Sequence, residues 1–183
     1  MLFSIFSSYV PRWRCRIPRQ SLLFAKNCTL YEQCRRNIEF ENTYFHSAAL
    51  EYDWICGNKA YIGSLYPQIQ FAGVFMGTLL FGNLADWLGR KPVAIFALAL
   101  GITMLGFSGA APNQYLLLGA RFFVGLAIGG AVVVVSTFVM EMLLPEQRMA
   151  LRAFFNWGLA RLWMTGICYA FPDWRTARFV LLF

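Results

Sequence analysis

Hydrophobic positions along this chain gather into long unbroken runs instead of alternating or recurring every third and fourth residue. Residues 62–84 and 93–111 carry no charge, 115–144 is apolar except for Arg121 and Glu141, and 153–171 is apolar except for Arg161. Each run reaches roughly the 20 residues that a helix needs to cross a bilayer at about 1.5 Å per residue. Strands buried in soluble cores are far shorter, and in lipid only helices and closed barrels satisfy their own backbone groups. The pattern predicts an all-α, polytopic membrane protein with about four complete transmembrane helices. Residues 179–183 begin a fifth run. Residues 1–10 are apolar but too short to span, and they lack the basic start and small-residue cleavage site of a signal peptide, so they read as the remnant of another helix.

Composition narrows the class further. With 58% hydrophobic and 14% charged residues the chain is too apolar for an ordinary soluble domain. Sixteen Lys and Arg against nine Asp and Glu leave a net charge of +7. The basic residues cluster before residue 60 and at the edges of the apolar runs, with no RNP, zinc-finger or helix-turn-helix spacing. They suit lipid headgroups or water, and no nucleic-acid partner is expected.

Residues 11–60 differ in kind: they are polar and hold four of the five cysteines, Cys15, Cys28, Cys34 and Cys56. An even number in a polar loop predicts two disulfides, with three pairings open. A glycosylation sequon at Asn27, followed by Cys28 and Thr29, lies in the same loop, and both features place it outside the cell. Zinc ligation with help from His46 is the rival reading, but no C-x-x-C spacing exists and no metal is expected. Eight Lys and Arg in the loop argue for the cytoplasm. That tendency weakens over long loops, so the sequon and cysteines decide. Alternation then puts a loop at 85–92 in the cytoplasm with Arg90 and Lys91, an uncharged outer turn at 112–114, residues 145–152 inside with Arg148 and Arg152, and 172–178 outside.

Within the runs, Gly73 and Gly77 form one small-residue pair and Gly125 and Gly129 another, each freeing a helix face for close approach of a neighbour. Arg121 lies two turns into its helix, where it either lines a pathway or fixes packing, unless it snorkels to the surface. Arg161 falls about 12 Å into its run. It is a candidate substrate contact favouring anions, with a structural pair to a carboxylate as the alternative. Tyr66, Phe138, Trp157 and Trp163 offer rings for an organic cation or serve as ordinary packing and interface residues. With a single histidine, and no phosphate-binding loop or nucleophile elbow, neither an enzyme nor a cofactor is expected.

The segment GNLADWLGRKP, from Gly82 to Pro92, resembles the motif G-x-L-x-D-x-x-G-R-[RK] between the second and third helices of the major facilitator superfamily. Gly82, Leu84, Asp86, Gly89, Arg90 and Lys91 fill every named position. RFFVGLAIG, from Arg121 to Gly129, resembles that superfamily's fourth helix, and EMLLPEQR, from Glu141 to Arg148, resembles its end. VPRWRCRIP near the start, EYDWIC at 51–56 and DWR at 173–175 are similar to the organic cation and anion transporters, solute carrier family 22. By this resemblance residues 1–10 are the end of helix one, 11–60 the extracellular loop, and 61–183 helices two to five with the start of helix six. The chain would be a partial N-terminal half lacking the second six-helix half. The resemblance implies a secondary transporter in the plasma membrane that moves small organic ions by alternating access. Asp86 would meet a helix of the second half, and Arg90, Glu141 and Arg148 would complete a conformational charge network. Four loop cysteines depart from the six often found in relatives. The alternatives are a truncated, transport-inactive membrane protein or interaction partner, or a sugar-porter-like relative, which would share the inner motif but not the long cysteine loop.

Overall fold

The computed structural model describes residues 6–15, 26, 28–34, 38–41, 44–144, 147–148 and 157–180. Its elements in chain order are β1 (Trp13–Cys15), α1 (Cys28–Gln33), β2 (Ile38–Phe40), α2 (Ala48–Glu51), α3 (Asn58–Leu88), α4 (Arg90–Ala110), α5 (Gln114–Met142), α6 (Trp157–Ala170) and α7 (Trp174–Val180). Among the described residues three helices, α3, α4 and α5, are long and apolar enough to cross a membrane. The fourth expected span appears as α6, 14 residues long, and its expected start at 153 lies outside the described residues.

Two expected loops are helical instead. The charged stretch at 85–92 contains no loop: α3 continues to Leu88, α4 starts at Arg90, and Gly89 alone joins them with φ 91°. Ala85 to Leu88 hold no helix breaker, so the helix runs until the first residue able to take a left-handed backbone conformation at low cost. Pro92 then sits in the first turn of α4, where a missing N–H costs nothing. At the other end, α7 starts at Trp174, so Arg175 and Arg178 are helical residues.

Helix α5 packs against both α3 and α4, and the glycines explain how closely. A Cβ added to Gly73 or Gly77 would collide with the backbone carbonyl of Phe122 or Leu126 on α5. Reciprocally, a Cβ on Gly125 or Gly129 would strike the carbonyl of Gln70 or Val74 on α3. The two small-residue pairs face each other, and the α3 and α5 backbones touch. Apolar clusters flank this seam. Phe81, Ala85, Val93, Ala97 and Val134 pack near Gly89. At the opposite end Trp54, Tyr66, Leu117, Leu118, Cys168 and Trp174 pack together. Large side chains such as Phe75, Leu80, Trp87 and Ile95 cover the outside of the bundle, as a lipid solvent favours.

The cysteine segment is built as a cap. β1 and β2 pair antiparallel with Trp13 opposite Phe40. Disulfides join Cys15 to Cys34 and Cys28 to Cys56, selecting one of the three open pairings, in which the closed loops overlap along the chain. Asn27 lies outside the described residues. The later part of the segment sits on the helix ends. The His46 amide donates to the Pro172 carbonyl at 2.7 Å and the Trp174 amide to the His46 carbonyl at 3.2 Å. The Tyr52 hydroxyl donates to the Ala111 carbonyl at 3.0 Å. Trp54 Nε1 donates to Gln114 Oε1 at 3.1 Å.

Candidate functional site

Two groups of polar residues interrupt the apolar bundle, one at each end. At the Gly89 end, Arg90 in the first turn of α4 forms an ion pair with Glu141 in the last turn of α5. Arg148 Nε donates to the Leu143 carbonyl at 3.1 Å, satisfying a backbone acceptor just past the end of α5. Among the described residues the ion pair thus joins Arg90 to Glu141, and the contact shown for the Arg148 side chain is to the Leu143 carbonyl. Lys91 and Leu84 are exposed, and Gly82 has open space where a side chain would project.

Asp86 is also exposed, and it occupies the last turn of α3. Beside it opens a cleft of about 320 Å³ whose polar lining comes from Thr78, Asn83, Asp86, Arg90 and Thr137. Such a cleft, with a carboxylate at its rim, can receive a positively polarised group from outside the described bundle.

The second group is buried beneath the cysteine segment. Tyr66 is fully buried at its centre and accepts hydrogen bonds from Ser7 Oγ at 3.2 Å and Arg178 Nη2 at 3.0 Å. Arg121 lies 4.7 Å above the Tyr66 ring and its Nη1 reaches Gln70 Oε1 at 3.5 Å. Arg178 Nη1 donates to the Ser108 carbonyl at 2.7 Å and to Ser108 Oγ at 3.1 Å, and its guanidinium covers the Trp174 ring at 4.5 Å. Arg175 covers the same indole at 5.0 Å.

This group continues outward through Glu51, whose carboxylate accepts from Trp174 Nε1 at 2.6 Å and from Arg175 Nη2 at 2.6 Å. Partial burial pushes the Glu51 pKa up, but the hydrogen bonds from Arg175 and Trp174 and the nearby Arg175 charge outweigh it, so the net direction is below the ordinary carboxylate value. Arg175 also donates to the carbonyls of Gly109 and Ala111 at 3.3 and 3.4 Å, closing the end of α4.

Several single-residue readings change with this geometry. Arg121 does not snorkel: it is 2% exposed and lies over the Tyr66 ring with Gln70 beside it. Tyr66 cannot offer its ring to a substrate cation, being fully buried under Arg121. Arg161 and Trp163 are exposed on α6, Phe138 is half-buried on α5, and the Trp157 side chain lies outside the described residues. Arg161 forms no ion pair among the described residues. Glu51 entered the sequence reading only within the EYDWIC resemblance, and Arg178, Gln70 and Gly130, whose added Cβ would enter the Phe81 ring, were passed over. A cation directly beside a fifth apolar run and a glycine doublet at 129–130 were the available signals.

A family model described as sugar (and other) transporter matches residues 24–171. The chain belongs to that transporter family, within the major facilitator superfamily. Relatives agree over most of its length. An uncharacterized protein of Caenorhabditis elegans is 34% identical over 185 residues, covering 97% of this chain and 36% of the relative. An organic cation transporter-like protein of Drosophila melanogaster is 29% identical over 170 residues, covering 90% of this chain and 28% of the relative. Human solute carrier family 22 member 13 is 30% identical over 147 residues, covering 79% of this chain and 26% of the relative. This member of the transporter family therefore spans only about a quarter to a third of the length of these relatives.

Proposed function

We propose that the chain forms part of the first half of a secondary transporter of small organic ions, working by alternating access at the plasma membrane. In this reading the cysteine segment faces outside and the Gly89 end faces the cytoplasm. The observation that carries it is the cleft beside Asp86. An exposed carboxylate in the last turn of α3, next to the Arg90–Glu141 ion pair and open to the outside of the bundle, suits the positive N-terminal end of a helix from a second half. Docking and undocking of that helix would close and open the cytoplasmic side as the two halves rock. The similarity to organic cation transporter-like proteins and to solute carrier family 22 members supports small organic ions as substrates. The long disulfide-bonded cap speaks against a sugar-porter-like assignment.

The test uses Asp86→Asn in the full-length protein containing this segment. Surface amount should stay at the wild-type level while the initial uptake rate falls by about 3- to 30-fold, the range that loss of a charge–dipole contact worth about 0.7–2 kcal/mol allows. An unchanged rate at equal surface amount would remove the gating role.

A further inference from the structure

The two disulfides differ in what they join and in how open they are. Cys15–Cys34 lies within one lobe of the cap: it ties β1 to the end of α1, and both of its residues are buried. The same lobe holds the antiparallel pairing of β1 with β2 and the edge-on contact of the Trp13 and Tyr31 rings at 5.6 Å. Cys28–Cys56 reaches from that lobe to the bundle. Cys28 opens α1 and is exposed, whereas Cys56 is half-buried and directly follows Trp54 and Ile55, both buried. Trp54 is held on the helices by its hydrogen bond to Gln114 and by the Tyr66 ring at 5.5 Å. Cys56 therefore moves with the bundle and Cys28 with the lobe. A hydrogen bond from the Tyr31 hydroxyl to the Asp53 carboxylate crosses the same junction.

Exposed disulfides are the labile ones, because an attacking thiolate must reach a sulfur, and burial denies it that access. Helix α1 has six residues, too few to hold its shape alone, so its anchors decide its order. We propose that Cys28–Cys56 is an exchange site for small thiols outside the cell, of the glutathione class, and that its reduction frees the start of α1 from the bundle while Cys15–Cys34 stays closed. The external thiol rests on the outward placement of the cap given above. A thiolate attacks Cys28 Sγ and forms a mixed disulfide there. The bond to Cys56 breaks, and Cys56 leaves as a thiolate that takes a proton from water. A second thiolate then attacks the small thiol's own sulfur, releasing Cys28 and departing as the disulfide of two small thiols. The protein disulfide thus gains the two electrons that the two thiols lose. The small disulfide closes the bond again by the same steps in reverse, and Cys15–Cys34 keeps Cys28 within reach by holding the other end of α1 on β1.

The experiment blocks existing thiols with N-ethylmaleimide on intact cells expressing the full-length protein containing this segment, then adds reduced glutathione. Newly formed thiols are labelled with an impermeant biotin maleimide and located by peptide mass spectrometry. Cys28 and Cys56 should become labelled at least about tenfold faster than Cys15 and Cys34, with a glutathione adduct on Cys28 as the intermediate. In purified wild type the same treatment should speed hydrogen exchange of the α1 amides by about tenfold or more, to the level of the untreated Cys28→Ser, Cys56→Ser double variant. Equal labelling of both pairs, or faster labelling of Cys15 and Cys34, overturns the inference and leaves the outward placement standing. Labelling of neither pair, even in purified protein, overturns the inference as well. Labelling that appears only after the membrane is permeabilised overturns the outward placement and the external thiol with it. Selective labelling without faster exchange overturns the release of α1. Should the double variant not fold, the exchange of glutathione-treated wild type against untreated wild type decides by itself.

Discussion

A glycine in a membrane helix matters through the side chain it lacks, and this chain separates glycines that need that absence from those that do not. Gly77 and Gly125 each face a backbone carbonyl across the α3–α5 seam, whereas Gly119 and Gly166 look into open space. Backbone carbonyls cannot rotate aside as a side chain can, so an added methyl must push the helices apart. Gly77→Ala and Gly125→Ala are expected to destabilise the protein by about 1–3 kcal/mol. Gly119→Ala and Gly166→Ala should be neutral or slightly stabilising, since alanine is the better helix former. Thermal unfolding in detergent compares the four, and equal melting temperatures would remove the backbone contact from the account. The spacing of these glycines was legible in the sequence; that the two pairs meet each other was not, because spacing along one helix does not name the helix opposite. Arg178 escaped for a related reason. A cation at the edge of an apolar run reads as an interfacial residue until α7 turns it inward onto Ser108 and Tyr66.

At the scale of elements, the cap and the helix ends are fastened by Glu51. Its folded-state pKa lies below the ordinary glutamate value. The stability it contributes is therefore present above the unfolded value and is lost as the pH falls through the depressed folded value. Melting temperature followed from neutral pH to about pH 3 should fall more steeply for wild type than for Glu51→Gln, which lacks the titrating group. Parallel slopes would show that the contact to Arg175 and Trp174 adds no pH-dependent stability. The effect should be modest, because both partners of the ion pair are more than a third exposed and water screens them. Helix existence was easy to read from the apolar runs, and helix ends were not. Charge suggested loops at 85–92 and 172–178, yet charged residues form good helix termini wherever no breaker intervenes and partners lie nearby. The two disulfides were expected from the cysteine number alone, while their pairing required the three-dimensional course of the segment.

For the whole molecule, the sidedness of the membrane fold is the property on which the gating proposal depends. With the cap outside, glycosidase treatment should shift the mobility of protein expressed in mammalian cells through the Asn27 sequon. A cysteine placed by Lys91→Cys should react with an impermeant maleimide only after the membrane is permeabilised. Labelling of that cysteine on intact cells would invert the topology and place Asp86 at the outer mouth. The superfamily was readable from the sequence because its charged motif must be spelled out in residue types that lipid would otherwise reject.

The single-residue junction at Gly89 carries a mechanical consequence. A loop of ordinary length would absorb displacement as slack, but α3 and α4 meet through one glycine and its two backbone torsions. On the gating proposal, a push delivered at the Asp86 cleft would reach α4 as rotation about that point, and the Arg90–Glu141 ion pair would pass it on to α5. The hairpin would then act as a lever with a fixed fulcrum. Lengthening the junction by one or two residues would leave every charge in place and uncouple the lever arms.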